Sequence, residues 1–440
     1  MRLPGFGSHA IGMDVDRGAI KAVQVGKSGD GYVLEHVGYH RLPEGVISDG
    51  DVADSELLSE ELREFWDLHD FQGKSVVLGV AGGNVIVRFV PFPRLSDEDR
   101  KSALTFQAEE HIPMPIDDVV LDHVVLGPSG ENPDEDLVLL VAAHRDLVSN
   151  YTASVRSGGL KPVGVDVKAL ALSRSALPEA LFDDEDTTLL LDVGTEISNL
   201  LVVQGQTPTH VQFLNFGFRD FAHSVALAAE LDDDEAEKQA LGSSVNISPL
   251  VQDDREPELE FQETEPLYLP EVTPTSSREE EEEHDGESVA PEDGEEESTP
   301  DPEAPTEPIV GSGERSVERE PLPREGRSET GAEEPEDPAL IYDVRRGLEE
   351  AAVRLASEVQ RSIEFHNSRP GAREVSRLVL SGEGALIRGL DGFLGDYMGL
   401  PAGLARPTDR LVENRSNVSD EQLSQMEPVL AVAIGLALEE

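Results

Sequence analysis

Two hairpins far apart in the sequence constrain this chain more than any other feature. The first runs Ile11-Gly12-Met13-Asp14-Val15, turns through Asp16-Arg17-Gly18 and returns as Ala19-Ile20-Lys21-Ala22-Val23-Gln24-Val25. The second runs Leu190-Leu191-Asp192-Val193, turns through Gly194-Thr195-Glu196-Ile197 and returns as Ser198-Asn199-Leu200-Leu201-Val202-Val203. Each is an apolar strand ending in Asp-Val, a short polar turn and a second apolar strand. Each leads through a further turn to a third strand. The repeat predicts two related lobes that face one another, with an Asp from each lobe at the opening between them.

That arrangement suits a nucleotide triphosphate held between the lobes. Small residues at a turn let backbone N–H groups approach phosphate oxygens. A carboxylate at a strand end holds Mg²⁺ through its waters, because Mg²⁺ keeps much of its hydration shell. Asp14 and Asp192 are the candidates, with turn capping as the structural alternative. Gly18, Gly194 and Thr195 lie at the turns, and Lys21 follows the first of them. Ser381-Gly382-Glu383-Gly384, at a strand-to-helix turn, supplies glycines for the approach of a base and sugar.

The rest of the ordered chain alternates strands and helices, which places it in the α/β class. Strands are predicted at 32–42, 75–80 and 84–90, around a helix at 55–68. A different unit follows. Ser96 opens a helix that Pro113 and Pro115 stop after His111. Strands at 119–126 and 136–144, a helix at 145–157 and a strand at 162–167 complete it. Beyond the second hairpin come a strand at 210–215, helices at 218–229 and 341–368, a strand at 377–381 and a helix at 390–398. An apolar helix of about 14 residues at 425–438 is short for a membrane anchor and reads as core. The domains expected are lobe 1 at 9–93 and 166–186, completed by the helix at 425–438; an inserted α+β subdomain at 94–165; and lobe 2 at 187–242 and 339–424.

Between the two parts of lobe 2, residues 243–338 are rich in Glu, Pro, Ser and Thr, with runs such as REEEEEHD and PEDGEEESTP. They show no sustained period and bury too little surface to offset ordering entropy, so a long disordered acidic insertion is predicted. Leu267-Tyr268-Leu269 is its apolar patch, a docking element or a stray cluster. Roughly half of the net charge of −55 lies there. Such charge argues against a nucleic-acid backbone as partner and against direct docking on anionic lipid. No apolar run reaches membrane-spanning length, and Met1 to Ala10 lacks the apolar core of a secretory signal. The absence of cysteine removes disulfides, thiolate metal sites and cysteine nucleophiles.

Further short matches extend over nearly all the ordered chain. They are Leu42-Pro43-Glu44-Gly45-Val46 with Asp49-Gly50, Phe106-Gln107-Ala108-Glu109 followed by Ile112-Pro113-Met114-Pro115, Gly159-Leu160-Lys161-Pro162, Leu380-Ser381-Gly382 and Gly435-Leu436-Ala437-Leu438. With the two hairpins, they make a chain that resembles the PilM family, in the FtsA/PilM group of the actin-like ATPase superfamily. The resemblance implies an actin-like (ribonuclease H-like) two-lobed fold with an FtsA/PilM-type α+β subdomain inserted in lobe 1. It implies a cytoplasmic scaffold of the type IV pilus inner-membrane assembly platform, peripheral to the membrane through protein partners and without membrane insertion of its own. The implied partners are the N-terminal cytosolic peptide of PilN, other platform proteins and motor ATPases. Phe106, Ile112, Pro113 and Pro115 would serve the peptide, or simply the core. ATP and Mg²⁺ are the implied ligands, with Arg17 near the phosphates and Glu358 and Arg361 toward base and ribose, a solvated helix face being the alternative for that pair.

Two turns depart from the family pattern. Asp16 stands where relatives carry a glycine and would repel phosphate unless Arg17 or Mg²⁺ offsets it. Glu383 interrupts the adenosine glycines. No water-positioning residue is identifiable, so no catalytic residue is assigned. An FtsA-like ATP-binding filament protein and a degenerate scaffold that binds no nucleotide are the alternatives.

Overall fold

The computed structural model describes residues 11–29, 31–129, 132, 134–177, 186–242, 244–248, 337–369 and 371–438, with the side chains at 97, 98, 101, 102 and 105–107 left out. Most of the predicted insertion, including Leu267-Tyr268-Leu269, and the side chain of Phe106 lie outside the described residues.

In lobe 1, β1 (Ile11–Val15) pairs antiparallel with β2 (Ala19–Ser28), and β2 with β3 (Gly31–Arg41). A two-residue ladder, β4 (Ile47–Ser48) with β5 (Asp51–Val52), leads into helix α1 (Ser55–Leu68), whose first N–H groups are capped by Asp54. Beyond β1 the sheet continues in parallel through β6 (Ser75–Val80) and the strand Lys161–Val167. Every residue of β1 is buried, as expected of a strand covered on both faces.

Between β6 and that last strand lies a three-stranded antiparallel sheet. It is formed by β7 (Val85–Pro93), β8 (Val119–Pro128) and β9 (Glu135–His144) in the order β7-β9-β8. Helix α2 (Asp97–His111), capped by Ser96, packs on it through Leu104 and Ala108 against Phe92, Val138 and Leu140. Helix α3 (Arg145–Ser157) returns to lobe 1, where Lys161–Val167 is β10 and α4 (Lys168–Ala176) follows.

Lobe 2 repeats the plan. β11 (Thr187–Val193), β12 (Ser198–Gln204) and β13 (Thr207–Leu214) form an antiparallel meander. Helices α5 (Phe218–Ala229), α6 (Asp233–Ala240) and α7 (Pro338–Asn367) follow, and β14 (Arg377–Ser381) then joins β11 in parallel. Helix α8 (Leu390–Met398) precedes β15 (Ala402–Leu404) at the sheet edge. The order β13-β12-β11-β14-β15 matches β3-β2-β1-β6-β10 strand for strand. The chain has the two-lobed actin-like α/β fold that the hairpin repeat implies.

Four boundaries differ from those the sequence suggests. β7 was expected with lobe 1, but it hydrogen-bonds to β9 of the subdomain. β10 was expected inside the subdomain, but its pairing partner is β6 of lobe 1. Residues 411–414 were expected with lobe 2, but they form β16 (Leu411–Asn414) and pair with β3 of lobe 1. Residues 244–248 were expected in the disordered insertion, yet Val245 and Ile247 are buried in the lobe 2 core and Ile247 N–H donates to the Arg388 carbonyl at 3.1 Å. Two apolar residues are too weak a signal to stand out beside a long polar tract.

The predicted helix at 425–438 is also two helices, α9 (Asp420–Met426) and α10 (Ala431–Ala437). Pro428 has no N–H to give the preceding turn, and its ring disfavours a continuous helix there. α10 fits tightly between β1 and α4. A Cβ added to Gly12 would lie 2.1 Å from the Ala433 carbonyl oxygen, and one added to Gly435 2.0 Å from that of Ala171. A single apolar core runs through this region and joins Met13, Leu78, Leu172 and Leu436 of lobe 1 to Leu190 and Leu201 of lobe 2.

Candidate functional site

The two hairpin turns meet at the mouth between the lobes, where a small cavity is lined by Asp14, Asp16, Lys168, Asp192, Thr195 and Asn199, among others. Lys21 lies beneath it with its side chain 2% exposed. Its ammonium is 3.2 Å from Asp14 Oδ2, 2.6 Å from Asp16 Oδ2 and 3.1 Å from Glu383 Oε1. Asp14 faces Lys21 because the two are cross-strand partners in the β1–β2 hairpin. Lys168, the first residue of α4, brings a second ammonium 2.6 Å from Asp14 Oδ1 and donates to the Val15 carbonyl at 2.9 Å. Nothing in the sequence marked Lys168, since a lone lysine after a strand looks like any solvated one.

Asp16 receives more donors than any other carboxylate here. Gly18 N–H and Ala19 N–H donate to its Oδ1 at 2.9 and 3.1 Å, and the Thr195 hydroxyl lies 3.1 Å from the same oxygen. Burial alone would raise its pKa, but Lys21 and Lys168 outweigh that and hold it at about 2. Burial would lower the pKa of Lys21, and Asp16, Glu383 and Asp14 reverse this, holding it well above the usual lysine range. Glu383 is pushed up to about 7, first by burial and then by Asp16, with Lys21 offsetting only part. The Thr195 hydroxyl has one proton and two carboxylate neighbours, Asp16 and, at 2.6 Å, Glu383 Oε2. The hydroxyl can give that proton to only one of the two carboxylates at a time, one from each lobe.

The second Asp is spent in another way. Asn199 Nδ2 donates to Asp192 Oδ2 at 2.8 Å and Ser381 Oγ to Oδ1 at 3.0 Å. Burial and then the Asp14 charge raise the Asp192 pKa. Gly382, at φ 84°, and Gly384 meet Val193: an added Cβ would lie 2.4 Å from the Val193 carbonyl oxygen at the first and 2.4 Å from its Cγ1 at the second. The glycine signal for close approach is real, but the neighbour is the end of β11. Gly18 makes room for Thr195, and Gly194 for the Ile197 carbonyl. Arg17 pairs with Glu196 of lobe 2 at 2.9 Å, and Glu196 also accepts from Asp49 N–H at 2.8 Å. Glu358 and Arg361 pair with each other on an outward face of α7, with side chains 46% and 66% exposed, and do not line the cavity.

The structure thus brings together Asp14, Gly18, Lys21, Asp192, Gly194, Thr195, Ser381, Gly382 and Gly384, with Arg17 at the rim, and leaves out Glu358 and Arg361. As placed, these groups do not fit a Mg²⁺-triphosphate. Asp192 already accepts hydrogen bonds from Asn199 and Ser381, and Asp14 is ion-paired with Lys21 and Lys168. Among the described residues no three His, Asp or Glu side chains are grouped to hold a metal ion.

A second, larger concavity lies elsewhere. β8 is an edge of the three-stranded sheet and β10 an edge of the lobe 1 sheet. They face each other across a cavity of about 370 Å³ lined by Val120, Val124, Val141, Val148, Val165 and Leu170, with Asp122, Arg156 and Asp166 among its polar residues. An adjoining cavity of about 510 Å³ shares Val124, Val165 and Leu170 and extends the trough past Leu126 toward Arg174 and Arg410. Val124 is 52% exposed. Of the predicted partner residues, Ile112 is buried in the subdomain core, while Pro113 and Pro115 are exposed; none of the three lines the trough. Phe106 is on α2, with its side chain outside the described residues.

The solved PilM–PilN type IV pilus biogenesis complex contains a chain 22% identical to this one, with 97% of each chain covered and a TM-score of 0.67. It shares the fold. Looser overlaps are with the ethanolamine utilization protein EutJ from Carboxydothermus hydrogenoformans (10% identity, 99% of this chain and 92% of that one, TM-score 0.46) and MreB5 of Spiroplasma citri bound to AMPPNP (12%, 98% and 95%, TM-score 0.45). The family model described as type IV pilus assembly protein PilM matches residues 12–247 and 348–440. That match covers both hairpins, the inserted sheet and the last helix, and the chain belongs to the PilM family of type IV pilus assembly proteins.

Proposed function

We propose that this chain is a cytoplasmic scaffold of the type IV pilus assembly platform, and that it holds the N-terminal cytosolic peptide of PilN in the trough between β8 and β10. The observation that carries this reading is that the edge strands of two sheets, β8 and β10, face each other over an apolar floor. Val120, Asp122, Val124 and Leu126 alternate along β8 and face the trough. An extended peptide adding to such an edge gains main-chain hydrogen bonds for affinity and apolar seats for every second side chain. Family membership, and a solved relative whose name pairs PilM with PilN, support the same occupant. No described helix is long and apolar enough to cross a membrane; on this reading the partner's peptide is what places the chain at the inner membrane. Other platform proteins and motor ATPases would meet it there.

The test is calorimetric titration of the full chain with a synthetic PilN N-terminal peptide, beside Val124→Asp, which puts a charge on an exposed trough residue. Micromolar or tighter binding is expected for the wild type. The variant should lose at least about tenfold, the equivalent of roughly 1.4 kcal/mol. Absence of wild-type binding ends the proposal. Unchanged affinity in Val124→Asp moves the peptide off this trough.

A further inference from the structure

We propose that Asp16 is a built-in stand-in for a phosphate group, and that the cleft between the lobes is clamped shut by the chain's own side chains in place of a nucleotide. The donor set around Asp16 is that of an anion site. It comprises two consecutive turn N–H groups, a buried ammonium at 2.6 Å and a hydroxyl from the opposite lobe. Those are the groups a phosphate oxygen would need, and each is already engaged. The glycine expected at this position would leave them free; the carboxylate fills the seat.

The clamp crosses the cleft at two levels. At the floor, Lys21 of lobe 1 holds Glu383 of lobe 2, and Thr195 of lobe 2 holds Asp16 of lobe 1. At the rim, Glu196 of lobe 2 takes Arg17 and the Asp49 N–H of lobe 1. What remains is a cavity of about 30 Å³. That is room for a water or two, against roughly 300–1,000 Å³ for a site that takes a small ligand. Charge points the same way. Asp14, Asp16, Asp192 and Glu383 surround Lys21 and Lys168, so the existing cations are committed and a triphosphate would add like charge. Admitting one would displace the two floor links between the lobes, Lys21 with Glu383 and Thr195 with Asp16. Closure that a ligand would otherwise impose is thereby written into the sequence, and the lobes keep one relation for a partner to read.

The experiment is thermal unfolding of the full chain with and without about 1 mM Mg-ATP or Mg-pyrophosphate, together with equilibrium dialysis against labelled ATP. The same measurements are made on Asp16→Gly and Asp16→Ser. For the wild type, an unmoved Tm and no retained ATP are expected. For the variants, the Tm should fall by at least about 4 °C. It should recover when Mg-pyrophosphate or Mg-ATP occupies the vacated donors. Stoichiometric ATP retention by the wild type, or a wild-type Tm raised by Mg-ATP, overturns the proposal. So does a folded Asp16→Gly or Asp16→Ser chain with an undiminished Tm. Should either variant not fold, the wild-type dialysis still decides.

Discussion

Glu383 is buried beside Asp16, and burial together with that charge raises its pKa from an ordinary 4.5 to about 7. Between those two values the folded chain keeps a proton that the unfolded chain has released, so this group's contribution to stability falls as pH rises from about 4.5 to about 7. Asp16 has the opposite sign. Held at about 2 against an ordinary 3.8, it contributes stability above 3.8 that is lost as pH falls through 2. His69 and His210, buried and lowered to about 4, lose stability as pH falls from 6.5. Glu383→Gln keeps an acceptor for Thr195 and removes the titration. The prediction is that wild type minus Glu383→Gln, compared by urea unfolding across that window, shows a stability difference that shrinks with rising pH. Parallel curves would show that Glu383 titrates normally. Asp16 and Glu383 stood out in the sequence as carboxylates in glycine positions, but their sign of action did not. Whether a carboxylate repels phosphate or replaces it depends on what faces it, and Lys168 and Thr195 reach them only through the fold.

At the scale of elements, legibility followed signal length. The limits of α1, β6, α3, β11, α5, β14 and α8 are those the periodicity and capping residues suggest, because each carries several apolar residues at one period. β15 and β16 are three and four residues long and carry no such pattern. The trough between β8 and β10 is illegible in the sequence for a different reason. β8 looks like any half-buried strand until the sheet order leaves it at an edge opposite β10. The Ile-Pro-Met-Pro element instead anchors its own sheet through Ile112. α10 supplies the sharpest test at this scale. Gly435 sits where an added methyl would meet the Ala171 backbone, which cannot swing aside as a side chain does. Gly435→Ala favours an isolated helix by roughly 1 kcal/mol. The clash should still win, with overpacking costing about 1–3 kcal/mol in net stability. A urea midpoint that falls with unchanged slope supports this. A midpoint that rises means helix α10 has room the structure does not show.

For the whole molecule, the repeat of the two hairpins was sufficient to forecast two matching sheets, since strand order around an apolar central strand leaves few alternatives. It did not reveal how the lobes are joined. The join is apolar packing of α4 against β11, β12 and β13, with α10 packed between α4 and β1 behind it, reinforced by the charged clamp. Where lobe 2 ends before the acidic tract follows from the same burial logic. Val245 and Ile247 are 4% and 1% exposed, and the backbone between them runs over the start of α8, where Gly389 at φ 83° approaches Asn246. A chain with a flexible Gly-Ser linker of about 30 residues in place of 249–336 keeps those contacts and the Asp337 cap of α7. A second chain with the same linker in place of 244–336 loses them. Each buried side chain is worth about 1.5–3 kcal/mol, so the second chain should be less stable by roughly 3–6 kcal/mol. Chemical denaturation of the pair reads that difference directly. If both unfold at the same denaturant concentration, residues 244–248 belong to the tract after them, and lobe 2 closes at α6.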